Sequence, residues 1–228
     1  MTERGEESDM GGRTPQAKRR QISRGTILDA AERLFAAHGR DGVTLKAIAA
    51  AADVDAALVR YYFGDKEAVF HEMFERRAVV LNGERHAAMD RMEARCGDAI
   101  TVRDALDTFL RPMFETAFNR GQGWADFAAI AATINSSRAG GAAVMRDNFD
   151  PIVQRFIGHL RRAAPSVPDK VLYRYFDHLT GALTHCIAQT GRIDTLSGGQ
   201  VLSNDMDDAL SSLLTIFDAG FAALQAGD

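Results

Sequence analysis

Two cysteines, Cys96 and Cys186, are too few and too far apart for a disulfide scaffold or a cysteine-based zinc cluster. They read as free thiols of a reducing compartment. Long apolar runs are lacking as well. The longest, residues 47–52, falls far short of the roughly 18 residues that a membrane-spanning helix needs, so no membrane partner is expected. The opening residues are polar and charged, without the apolar stretch of a secretory leader, and the expected compartment is the cytoplasm. Apolar–polar alternation of useful length is missing, and so is any internal repeat. What remains is 46% hydrophobic and 25% charged, ordinary globular usage with ample material for a core.

The formal net charge of −4 argues against a general nucleic-acid binder, but the charge is unevenly spread. Residues 1–12 carry −3, residues 13–66 carry +4, and residues 67–228 carry −5. A basic segment of domain size inside an acidic chain suits a local anionic partner such as a phosphate backbone. A chance fluctuation would look the same.

Helical spacing recurs throughout, so the expected fold is all-α. Residues 1–23, with Gly11-Gly12 and Pro15, read as a mobile arm whose Lys18-Arg19-Arg20 run can lie along DNA. A first helix is expected from Arg24 to His38, with Ile27, Ala31, Leu34 and Phe35 on one face and Gly39 as its stop. Thr44 reads as the N-cap of a short helix to Ala52, and Asp55 as the N-cap of another to Tyr62. Gly64-Asp65 then opens a long fourth helix from Lys66 to about Ala94, with Val69, Phe70, Met73, Phe74, Val80 and Leu81 periodic. Further helices are expected at 101–120, 123–138, 142–163, 168–190 and 206–225, with a flexible surface loop over 191–204. The implied domains are a helix-turn-helix over 24–66 and a larger helical unit over 67–228.

Three short helices, the second and third joined by a tight turn, bury Leu34, Phe35, Ile48, Val54, Val59 and Phe63. They leave one helix projecting, narrow enough for a major groove about 12 Å wide. A plain three-helix core has the same spacing. The residues themselves go further. Ile27-Leu28-Asp29-Ala30-Ala31-Glu32-Arg33-Leu34-Phe35, Gly39 and Val43-Thr44-Leu45-Lys46-Ala47-Ile48-Ala49 closely resemble the tetracycline-repressor (TetR/AcrR) family, as does the stretch from Ala52-Asp53-Val54-Asp55 through Arg60-Tyr61-Tyr62-Phe63-Gly64-Asp65-Lys66-Glu67. The resemblance covers about residues 24–74. It implies a homodimeric, sequence-specific transcription regulator, mostly a repressor, released from near-palindromic operator DNA by a small ligand. It also implies DNA contacts from Arg24, Thr44, Asp55, Ala56, Ala57, Arg60, Tyr61, Tyr62 and Lys66. Thr44 would meet a phosphate, Arg60 a guanine edge and Lys66 a phosphate. Two positions depart from the family pattern: Asp53 stands where Gly is usual, and Asp55 where Ser or Thr is usual. Asp55 can cap a helix, but it brings an anion close to phosphates.

Residues 70–77 and 82–85 are similar to a fatty-acid-responsive subgroup, which implies an acyl-CoA, a fatty acid, an aromatic compound or another largely apolar effector. Aromatic and Met residues of the middle helices supply the candidate pocket: Phe109, Met113, Phe114, Trp124, Phe127, Phe149 and Phe176, with Asn135 and His178 as polar groups. Core packing alone would concentrate the same side chains. Two apolar stripes, Tyr173, Leu183 and Ile187 on one helix and Leu210, Leu213, Leu214, Phe217 and Phe221 on the last, fit a dimer seam. No cofactor, metal site or catalytic group is expected. A rival enzyme reading would use His178 and His185, yet their spacing is not that of a helical zinc pair. A helical scaffold that only binds protein would leave the basic segment unexplained.

Overall fold

The computed structural model describes residues 15–138 and 140–226. Among these, all regular structure is helical, in the order α1 (Pro15–His38), α2 (Leu45–Ala51), α3 (Ala56–Phe63), α4 (Lys66–Cys96), α5 (Val102–Asn119), α6 (Gln122–Asn135), α7 (Gly141–Ala163), α8 (Asp169–Ile187), α9 (Arg192–Leu196) and α10 (Met206–Ala226). The caps act as expected. Thr44 accepts from the Ala47 N–H at 3.1 Å, Asp55 from Ala57 at 2.6 Å and Asp65 from Ala68 at 2.8 Å. Thr101 and Asp104 form a reciprocal capping box at the start of α5. Gly64, at φ +82°, closes α3, a conformation that a side chain would strain.

Three expectations need correction. Helix α1 starts at Pro15 rather than Arg24, so Arg19 and Arg20 belong to a helix instead of an arm. Proline is favoured in a first turn, and the Gln, Ala, Lys and Arg residues after it are good helix formers. Residues 1–14 of the expected arm lie outside the described residues. The expected loop over 191–204 contains α9, because the Asp194 carboxylate takes hydrogen bonds from the Ser203 N–H and hydroxyl and folds the segment on itself. Val80 is exposed, whereas Val69, Phe70, Met73, Phe74 and Leu81 are buried.

Buried apolar side chains from Ile27 to Phe221 form one continuous core. Helix α5 sits centrally, against α4, α6, α7, α8 and α10. Helix α1 packs on α2, α4 and α6, so contacts run straight across the expected boundary at residue 66. In the small N-terminal unit Phe35, Ile48, Val59 and Phe63 are buried, while Leu34 and Val54 are partly so.

Candidate nucleic-acid interface and effector cavity

Helix α3 holds its buried side chains, Val59 and Phe63, against the trihelical base. That leaves Ala56, Ala57, Arg60 and Tyr61 outward, with Tyr61 74% exposed. Arg60 has no partner among the described residues. Thr44, at the N-terminus of α2, is exposed, and so is Lys46, which sequence reasoning had not assigned. The α2–α3 turn places Asp53 at φ +52°, the left-handed region that glycine adopts freely and Asp tolerates. Asp55 is exposed beside it.

The remaining expected contacts are committed inside the protein. Arg24 donates to the Tyr62 carbonyl at 3.0 Å, pairs with Glu72 and lies 4.6 Å over the Phe63 ring. It therefore ties α1 to α3 and α4. Tyr62 is half-buried, with Arg20 5.7 Å over its ring. Lys66 donates to the Arg40 carbonyl at 2.9 Å, which holds its ammonium at the N-terminus of α4. Arg20 reaches Tyr62 because α1 begins at Pro15 and carries the Lys18-Arg19-Arg20 run in helix.

Behind the reading head, a nearly buried carboxylate joins three helices. Glu32 of α1 is 2% exposed and accepts from Arg77 Nε at 2.8 Å and Nη2 at 2.6 Å, and from Arg76 Nη2 at 3.2 Å. These bonds raise the Arg77 pKa against the opposing effect of burial. The Arg77 guanidinium also lies 4.7 Å over the Trp124 ring of α6. Gly123 gives it room, since a Cβ there would stand 2.6 Å from Nη2.

A cavity of about 110 Å³ opens between α4, α5, α6, α7 and α8. Of the expected ligand residues it gathers Phe109, Met113, Asn135, Phe149 and Phe176. It does not gather Phe114, Trp124, Phe127 or His178. Phe114 is fully buried against Phe118, Phe127 packs on Phe74, and Trp124 covers Arg77. His178 lines a separate groove between α8 and α10. Leu183 and Ile187, expected at a seam, face the cavity instead. So do Arg85 and Thr180, which had not been assigned. Arg85 left a sequence signal: it interrupts the inward stripe Ala78, Leu81, Met89, Met92 at helical spacing.

On α10, Leu210, Leu213, Leu214 and Phe221 are buried inside the chain, because the helix packs on α5 and α8. Its outward apolar face is a different one, with Ile216 64% and Leu224 41% exposed, and it continues onto Tyr173 of α8. These residues line a groove of about 1060 Å³ with Val171, Phe217 and Gly220. Tyr175, burying its ring beneath the groove, donates to the Phe217 carbonyl at 2.9 Å. By length and composition alone, α10 is apolar enough to cross a membrane.

A projecting short helix on a trihelical base, sharing one core with a helical body that encloses a cavity, defines a helix-turn-helix DNA-binding regulator. Residues 27–73 match the model for bacterial regulatory proteins of the tetR family, and residues 107–220, half of the chain, match the tetracyclin repressor-like C-terminal domain. The chain belongs to the tetR family of transcription regulators, which bind operator DNA and small effectors, form dimers and are not usually enzymes. Solved structures share the fold at low identity. A protein from Pseudomonas aeruginosa PAO1 assigned as a transcriptional regulator is 16% identical, with TM-score 0.61 over 88% of this chain and 92% of that one. HlyIIR, a hemolysin II transcriptional regulator, is 17% identical, with TM-score 0.57 over 86% and 98%. FadR, a fatty acid degradation regulator from Bacillus halodurans, is 16% identical, with TM-score 0.54 over 83% and 97%. No curated protein matches the sequence.

Proposed function

We propose that the chain is a cytoplasmic homodimeric repressor that holds a near-palindromic operator and lets go when a small, largely apolar effector fills the cavity. The observation that carries the DNA-reading role is α3, which presents Arg60 with no partner among the described residues and Tyr61 largely outward. In this reading Arg60 meets a guanine edge, Tyr61, Thr44 and Lys46 meet phosphates, and Arg24 and Lys66 chiefly position α3 and α4. A second copy covers the outward face of α8 and α10, built on Tyr173, Ile216 and Leu224 rather than on Leu210, Leu213, Leu214 and Phe221. That assignment also accounts for the apolar character of α10 without a membrane.

Helix α4 supports the coupling. Its 31 residues span about 46 Å, from Lys66 at the reading head to beyond Arg85 at the cavity. A ligand that favours one spacing of the two α3 helices weakens DNA, and DNA weakens the ligand equally. An apolar effector accords with the Phe and Met lining, and with the fatty-acid regulator among the structural relatives. No catalysis is proposed. His178 and His185 line different grooves, and no cluster of three metal-binding side chains occurs among the described residues.

The deciding experiment is selection of duplexes from a random pool by the protein and by Arg60→Ala. The parent should enrich an inverted repeat, and Arg60→Ala should lose about 1–3 kcal/mol on it with relaxed preference at one position per half-site. An unchanged motif with Arg60→Ala overturns the role of Arg60, and no enrichment at all overturns the regulator reading.

A further inference from the structure

The cavity contains a charge that the protein does not answer. Arg85 is 4% exposed, and its one hydrogen bond runs from Nε to the Phe109 carbonyl at 2.9 Å. The guanidinium lies 4.2 Å over the Phe109 ring, and among the described residues no carboxylate stands within ion-pair distance. Its two Nη groups have no acceptor among the described residues. Other partly buried arginines differ: Arg77 has Glu32, and Arg155 has Asp90 and Glu93. Burial pushes the Arg85 pKa down to about 9, which still leaves it charged at neutral pH. One further polar group at the cavity is unmatched. Thr180 Oγ1 is buried with no hydrogen bond among the described residues. An unpaired buried cation beside an unpaired hydroxyl is an unstable arrangement unless an anion completes it.

We propose that this cavity takes a small hydrophobic carboxylate, its carboxylate on the free Nη groups of Arg85 and its apolar body among Phe109, Met113, Phe149 and Phe176. The planar guanidinium presents paired donors that match a carboxylate. Among the described lining residues Arg85 is the one cation, and Asp150 at the exposed edge disfavours a second negative charge, so a monoanion fits better than a phosphate dianion. Size narrows the class further. The cavity is about 110 Å³, smaller than the about 150 Å³ of a dry cavity known to accept benzene. A short branched chain fits, a single ring fits only as the lining side chains give way, and an acyl-CoA exceeds the space many times over. The ligand class deepens the regulator reading and rests on it only for the consequence at DNA.

The test measures binding to the full-length protein by calorimetry and by melting temperature. Probes are benzoate, phenylacetate and isovalerate, each beside its neutral amide, with inorganic phosphate as the anion lacking an apolar body. At least one carboxylate should bind about tenfold or more tighter than its amide and than phosphate. Arg85→Met should abolish that preference, and Arg85→Lys should keep part of it. The empty Arg85→Met protein should melt higher than the parent, because an uncompensated charge has left the interior. If Arg85 serves only packing, the variant melts lower and keeps the parent's preference, which overturns the proposal. Equal binding of acid and amide, binding led by phosphate, or no binding by any probe also overturns it. Operator release is scored separately. A carboxylate held by Arg85 without release keeps the anion site and removes the effector coupling. Release by a neutral compound with Arg85→Met unaffected keeps the regulator and removes the anion site.

Discussion

Replacing Glu32 tests the joint between the reading head and the helical body. Glu32→Ala removes a carboxylate that is 2% exposed and takes two hydrogen bonds from Arg77 and one from Arg76. Breaking a fully buried pair by deleting one partner costs about 3–5 kcal/mol. Both arginines reach some water, with side chains 20% and 29% exposed, so the stranded cations are partly rehydrated. About 2–3 kcal/mol is therefore expected, which for a chain of this size lowers the melting temperature by roughly 4–12 °C. Glu32→Gln keeps the shape and one acceptor and should lose about half as much. A double-mutant cycle with Arg77→Ala isolates the pair, and should give a coupling above about 1 kcal/mol by thermal or urea unfolding. Coupling below about 0.5 kcal/mol, or Glu32→Ala as stable as the parent, would refute the view that this carboxylate locks α1 onto α4.

Asp55→Ser keeps the N-cap of α3 within about 0.5 kcal/mol but removes an anion from the DNA-facing turn, so operator affinity should rise, most at low salt, in titrations across ionic strength. Ile216→Glu places a charge on the outward face of α10; light scattering should report a monomer that melts cooperatively, whereas Leu214→Lys, aimed into the core, should unfold the chain. The Glu93 pKa is lowered by its hydrogen bond to His159 and by Arg155, so its contribution is present above about pH 4.5 and lost as pH falls through the lowered value. Glu93→Gln should accordingly flatten the loss of stability below about pH 4.5 in acid-unfolding curves.

The reading head was legible in the sequence because its signals are local. Thr44, Asp55, Asp65 and Gly64 set helix ends through their own backbone neighbours, and the apolar spacing of α1 to α3 fixes which side chains point outward. The cavity was half legible. Phe109, Met113, Phe149 and Phe176 stood out as aromatic and Met residues on the middle helices, but so did Phe114, Phe127 and Trp124. Which of two neighbouring buried faces meets a void depends on how five helices cross, and periodicity within one helix carries no such information. Which face of α10 points outward was hidden for a related reason. Leu210, Leu213 and Leu214 form the stronger stripe on α10, and the chain uses that stripe on its own α5. The weaker stripe through Ile216 is the outward one. Arg24 shows a further limit: an arginine near a DNA-binding motif pairs as readily with Glu72 and Phe63 of its own chain as with a phosphate.

The continuous core has a mechanical consequence. Because α1 rests on α6 as well as on α4, and Glu32, Arg77 and Trp124 tie all three, the described residues hold the reading head to the helical body along two helices. In the proposed dimer, a signal reaching α3 is then expected to turn each protomer as one block. Two probes placed on α3 and α6 of one protomer would then keep a constant separation when an effector binds. The same probe on the two α3 helices of a dimer would register the whole displacement.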